Sequence, residues 1–172
     1  MRHIIKRVAM EHIVYLALGS NMGNRLANLK AAISNLTPQM TVKKKSSVYE
    51  TPPWGFQDQA AFLNQVVMAE TYLEPEALLA HLKRLEIALG RVPNFENGPR
   101  LIDIDILFFD DVIIDTSSVA IPHPHLHKRA FVLVPLAELA PDLIHPVLRK
   151  SVSELLGDVD RSNINLFEGR QP

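Results

Sequence analysis

Residues 101–109 read LIDIDILFF. An apolar run of this length, rich in β-branched and aromatic residues, predicts a strand. Strand side chains alternate, so Asp103 and Asp105 share one face while Ile102, Ile104 and Ile106 take the other. At the rise of a strand the two aspartate Cα atoms lie roughly 6.5 Å apart. Carboxylates that close repel unless a cation sits between them. Oxygen-only ligands suit Mg²⁺, which commonly takes one or two carboxylates and completes its shell with water and phosphate oxygens. Arg100, just upstream, can neutralise phosphate. Taken alone, the pair equally fits the solvated face of an edge strand, because so short a motif often occurs by chance.

The rest of the chain supplies the partners of that strand. Residues 13–18 (IVYLAL) form an apolar run ending at Gly19, which predicts a buried strand. Gly19-Ser20-Asn21-Met22-Gly23-Asn24 is a turn cluster in which Asn24 can cap a helix over 25–36. A strand is expected over 41–50, a proline-rich loop over 51–61 and a strand over 62–72. Pro75 and Glu76 open a second helix that Gly90 closes. Residues 91–100 read as a loop, 112–114 as a strand pairing with 101–109, 131–139 as a buried helix and 151–157 as a last short helix. The order β-α-β-β-α-β, with two helices on one face of a mainly antiparallel sheet, predicts an α+β, ferredoxin-like core. One domain is expected over 12–160, with an N-terminal extension at 1–11 and a polar tail at 161–172.

Two further constellations could carry chemistry. Thr51-Pro52-Pro53-Trp54-Gly55, followed by Phe62-Leu63-Asn64, combines a stiff turn, aromatic rings and an amide that both donates and accepts. Those parts suit the face and edge of a planar heterocycle, and they equally suit a proline-stiffened loop over core aromatics. His123, His125 and His127 alternate, but no fourth ligand accompanies them, which argues against zinc. One histidine touching phosphate beside Arg129 is the better reading. The Gly19–Asn24 turn lacks the lysine of a Walker phosphate loop.

Composition narrows the function classes. The net charge is −1, and no long basic run marks a nucleic-acid binder. No apolar stretch reaches the ~18 residues of a membrane span. Cysteine is absent, which fits a reducing cytosol. A cytoplasmic monomer without nucleic-acid or membrane partners is expected.

In order along the chain, Gly19-Ser20-Asn21-Met22-Gly23-Asn24, Tyr49-Glu50-Thr51-Pro52-Pro53-Trp54-Gly55, Gln57-Asp58-Gln59, Phe62-Leu63-Asn64, Gly98-Pro99-Arg100-Leu101-Ile102-Asp103-Ile104-Asp105-Ile106-Leu107 and Pro122-His123 resemble the 6-hydroxymethyl-7,8-dihydropterin pyrophosphokinases of folate synthesis. The resemblance spans about residues 13–157. It implies the ferredoxin-like fold and transfer of diphosphate from ATP to the pterin's hydroxymethyl oxygen, releasing AMP. It implies that Asp103 and Asp105 ligate two Mg²⁺ with ATP. It further implies that Thr51, Pro53, Trp54, Phe62, Asn64 and Phe131 form the pterin pocket. Glu86, Ile106, His123 and Arg129 would hold the nucleotide, and Arg100 and Arg91 would steady the transferring charge. The chain departs from the family pattern at Val92–Asn97, where the family often has more arginines and a tryptophan, and at Ser118 and Pro124. The altered loop at 91–99 motivates one alternative, a pterin- or nucleotide-binding module with weak or lost turnover.

Overall fold

The computed structural model describes residues 10–169, so residues 1–9 of the expected extension and the last three residues lie outside it. A central sheet carries strands β1 (His12–Ser20), β2 (Met40–Lys45), β3 (Tyr49–Thr51), β4 (Phe62–Thr71), β5 (Asp103–Phe109) and β8 (Asn165–Leu166). Its spatial order is β5-β1-β4-β3-β8, with β2 also paired to β4, and every pairing is antiparallel. The second strand of the ferredoxin-like core is thus divided into β2 and β3. The break falls at Ser46, whose Oγ accepts the Val66 N–H at 2.9 Å, so a side chain locally takes over the ladder. The single strand expected over 41–50 does not form for that reason.

Helix α1 (Arg25–Ser34) starts where Asn24 Oδ1 accepts the Ala27 N–H at 3.0 Å. Helix α2 (Pro75–Ala88) starts with proline in its first turn, where a missing N–H costs nothing. Both pack on the face that receives Val14, Leu16 and Leu18 of β1 and Ile104 and Ile106 of β5. The opposite face, with Tyr15, Ala17, Val66 and Phe108, is covered by α3 (Ala130–Leu139) and α4 (Val152–Gly157), the latter opened by a Ser151–Glu154 capping box. The sheet is therefore buried on both sides, and the two-helix layer expected from the core order is only one of its covers. No helix among the described residues is long and apolar enough to cross a membrane.

Two other local expectations change. β6 (Ile114–Asp115) pairs with β7 (Ala120–Ile121) and not with β5. Asp110, at φ 45°, turns the chain off the end of β5 after its N–H has bonded Ile13 O at 2.8 Å. Within the expected polar tail, β8 adds to the outer edge of β3, and Phe167 packs against the core.

Candidate active site

The register of three strands creates a hollow on the α3 face. Ala17 of β1 lies opposite Asp105 of β5, and Gly19 lies opposite both Asp103 of β5 and Asn64 of β4. On this face β1 therefore offers only small side chains between two rows of larger ones. A cavity of about 300 Å³ opens there. It stays open because α3 begins only at Ala130, so that Arg129 and Phe131 form a wall instead of filling the hollow.

One half of the cavity is neutral. Asn64 is 8% exposed, and its Nδ2 donates to Thr51 Oγ1 at 2.7 Å. That bond orients the amide and leaves Oδ1 without a protein donor, an acceptor for a heterocycle N–H. Gly19 gives the oxygen its room, since a Cβ there would stand 3.0 Å from Asn64 Oδ1. Phe62, Trp54 and Phe131 complete this half, with Trp54 and Phe131 ring centroids 6.1 Å apart. Arg129 lies over both of those rings and Arg100 over Phe62, so the arginines join the aromatic half to the charged one.

The charged half is built around the two aspartates. Asp103 Oδ1 accepts from Arg91 at 2.7 Å, and its Oδ2 accepts from Arg100 at 3.1 Å. Asp105 has no such partner. Burial, then the neighbouring Asp103 carboxylate, push its pKa up to about 6, against the pull of Lys83 and Arg129. Burial, then Arg129 and His125, push His123 down to about 4, so the ring is neutral at pH 7. Its 3.8 Å approach to Asp105 is therefore not an ion pair. His123 Nδ1 accepts the His125 N–H at 3.2 Å, and its Nε2 stands between Arg129 Nη1 at 3.5 Å and Asp105 Oδ2 at 3.8 Å. Burial works against the Arg91 guanidinium, yet Asp103 and Glu86 more than offset it and raise its pKa. The Nε atoms of Arg100 and Arg129 are buried with no hydrogen-bond partner, which marks them as donors for an anion.

The donor set fits Mg²⁺. Two carboxylates project from one strand, and one of them is held at an electrostatic cost that a cation would relieve. No group of three or more His, Cys, Asp or Glu among the described residues could hold an ion by itself. Such an incomplete shell matches an ion that relies on substrate phosphates.

Of the residues expected at the site, Thr51, Trp54, Phe62, Asn64, Arg91, Arg100, Asp103, Asp105, His123, Arg129 and Phe131 line the cavity. Three stand behind or beside it. Pro53 lines the neighbouring groove. Ile106 points to the α1/α2 core, because strand alternation opposes it to Asp105. Glu86, 2% exposed, lies beneath β5 and accepts from Ile104 N at 2.7 Å and from Lys83 at 2.9 Å. Lys83 does reach the cavity, and sequence reasoning missed it. Its place three residues before Glu86 on α2 was the available signal. Asn21 was also missed as anything beyond a turn. Its Nδ2 donates to Gln59 Oε1 and Ala60 O, and its Oδ1 accepts the Arg100 N–H, so it ties two loops to the start of β5. Across the mouth, Gln59 donates to Asn97 O at 2.7 Å and Phe56 meets Phe95 edge-on.

Comparison with known proteins places these features in a family. Residues 15–141 match the family model for 7,8-dihydro-6-hydroxymethylpterin-pyrophosphokinase. The 2-amino-4-hydroxy-6-hydroxymethyldihydropteridine pyrophosphokinase of Aquifex aeolicus is 46% identical over 141 residues, covering 82% of this chain and 88% of its own. That of Methylorubrum extorquens is 44% identical over 156 residues, covering 90% and 98%. A crystal structure of Plasmodium falciparum HPPK-DHPS with STZ-DHP superposes with a TM-score of 0.74 at 17% identity, covering 88% of this chain. The chain spans 44% of that larger protein, and the likeness concerns the fold alone. With a family model over most of the chain and relatives near half identity, the chain belongs to the 7,8-dihydro-6-hydroxymethylpterin-pyrophosphokinase family.

Proposed function

We propose that this chain transfers the terminal diphosphate of ATP to the hydroxymethyl oxygen of 6-hydroxymethyl-7,8-dihydropterin and releases AMP, as a cytoplasmic monomer in folate synthesis. The observation that carries this reading is a cavity in which a neutral, amide-edged aromatic half adjoins a half with two carboxylates, one lysine and three arginines. Asn64 Oδ1 accepts an N–H of the pterin, and Phe62 and Phe131 flank its ring. Arg100 and Arg129 offer their buried Nε–H groups, and neutral His123 its ring N–H, to phosphate oxygens. Asp103 and Asp105 would hold two Mg²⁺ with ATP, which would supply neutralisation of the phosphate charge. Transfer of this kind depends on positioning and charge neutralisation more than on covalent help from the protein. The loops latched by Gln59 and Asn97 exclude water, which limits loss of ATP to hydrolysis.

The test is product analysis. AMP forms from ATP only with both the pterin alcohol and Mg²⁺ present. Release of ADP in its place would identify a simple kinase and sink the proposal. Tight binding of both ligands by folded protein without AMP would indicate a binding module instead.

A further inference from the structure

The carboxylate assigned to a metal is already paired with cationic side chains of the protein itself. Asp103 is engaged on both oxygens, Oδ1 by Arg91 and Oδ2 by Arg100. A divalent ion on Asp103 would have to share an oxygen with a guanidinium N–H, and the two positive charges repel.

The two arginines are not equivalent. Arg91 Nη1 is shared, at 2.7 Å with Asp103 Oδ1 and at 2.5 Å with Glu86 Oε2. Glu86 is buried and fixed from two further sides, by Ile104 N and Lys83. The Arg91 N–H also donates to Glu86 O at 3.0 Å, which ties its backbone to the end of α2. Arg91 can therefore give up Asp103 and remain paired, whereas among the described residues Arg100 pairs with no carboxylate but Asp103. The Ile104 N–H that Glu86 holds belongs to the residue between the two aspartates, so one buried carboxylate sets the position of both the strand and the guanidinium.

We propose that Arg91 is a built-in stand-in for the metal at Asp103. It satisfies that carboxylate while nucleotide is absent, and it is exchanged when a divalent cation arrives with the triphosphate. Arg91 then stays on Glu86, and the one Nη1–H freed from Asp103 becomes available to a phosphate oxygen. The exchange suppresses metal binding without nucleotide and delivers a positive charge to the phosphates in the same event. This inference rests on the assignment of Asp103 as a metal ligand. It adds that the ligand is occupied by the protein itself beforehand.

Mn²⁺ serves as the probe, titrated by calorimetry and followed by electron paramagnetic resonance in the absence of nucleotide. Breaking a charge-assisted hydrogen bond costs enough to weaken binding by about tenfold or more. Arg91→Gln is therefore expected to bind nucleotide-free Mn²⁺ at least about tenfold more tightly than the wild type, and the gain vanishes in the Arg91→Gln/Asp103→Asn double variant. Arg91→Lys, which keeps the charge but cannot bridge two carboxylates in the same way, also gains affinity, to a smaller extent. This variant carries the test should Arg91→Gln not fold. Unchanged or weaker Mn²⁺ binding in the folded variants overturns the proposal. Failure of the underlying metal assignment looks different: Asp103→Asn would then bind Mn²⁺ as well as the wild type in the presence of a non-hydrolysable ATP analogue.

Discussion

The two halves of the cavity are held open by opposite means. The neutral half is settled: Asn64 has its Thr51 partner, Gly19 leaves the space its oxygen needs, and the rings rest against one another. The charged half is under tension. Asp103 is compensated twice, while Asp105, two residues along the same strand, is compensated by no direct partner and bears the repulsion of its neighbour. A heterocycle therefore meets a surface already shaped for it, and a metal–triphosphate meets one whose internal pairings must be rearranged. Placing like charges together costs folding energy and keeps chemistry available, a trade frequent at functional sites.

The sharpest way to break this comparison is to neutralise the aspartates one at a time. Asp103→Asn and Asp105→Asn are each expected to reduce AMP formation at least about a thousandfold, a loss of ~4 kcal/mol in transition-state stabilisation. Their effects on the metal-free fold should have opposite signs. Asp103→Asn leaves Arg100 without its carboxylate and Arg91 with Glu86 alone, and lowers the thermal midpoint. Asp105→Asn removes the repulsion and raises it. Thermal unfolding in chelator, beside a single-turnover assay, reads both. Midpoints that fall together would show that the charged half is not strained in the way described, and activity near wild type in either variant would remove the metal role.

The neutral half is expected to respond in binding alone. Asn64→Ala deletes the one oriented amide and should weaken pterin affinity about tenfold to a hundredfold, the worth of a buried hydrogen bond to a planar edge. Affinity for the ATP analogue should stay within about twofold. Calorimetric titration with each ligand separately distinguishes the two. Equal losses for both would mean that the halves are not independent.

How far each half could be read in the sequence follows from the range of the signals involved. The aspartate pair and the alternation of β5 are properties of consecutive residues, and so are the caps of α1 and α2. The hollow is different. It exists because Ala17 and Gly19 come to lie between β4 and β5, a matter of register between strands more than 40 residues apart. Asn64 and Trp54 were reached partly through family resemblance, since an asparagine or a tryptophan alone announces nothing. Glu86 was reached through the resemblance alone, and Lys83 and the bonds by which Glu86 ties Ile104, Lys83 and Arg91 together stayed hidden because α2 packs beneath β5. The break at Ser46 escaped notice because a side chain imitating a backbone partner leaves strand propensity unchanged. β8 was missed because two residues are too few for a periodic signal.

The smallest expected effect concerns acid, and it tests whether the charged half compensates internally. Asp105 titrates near 6 in the fold against about 3.8 unfolded, so between these values the native state holds the extra proton and stability rises as pH falls. His123 titrates near 4 in the fold against about 6.5 unfolded, so over an overlapping window the unfolded state holds the extra proton and stability falls as pH falls. Each shift corresponds to roughly 3 kcal/mol at full size, and solvent in the cleft reduces this to about 1–2 kcal/mol. In the wild type the two contributions oppose each other from about pH 6 to pH 4. Removing one should expose the other. His123→Asn is expected to gain stability on acidification relative to the wild type, and Asp105→Asn to lose it. Denaturant midpoints measured across this range in chelator decide the matter, because parallel pH profiles for all three proteins would mean that neither group carries its shift into the folded state.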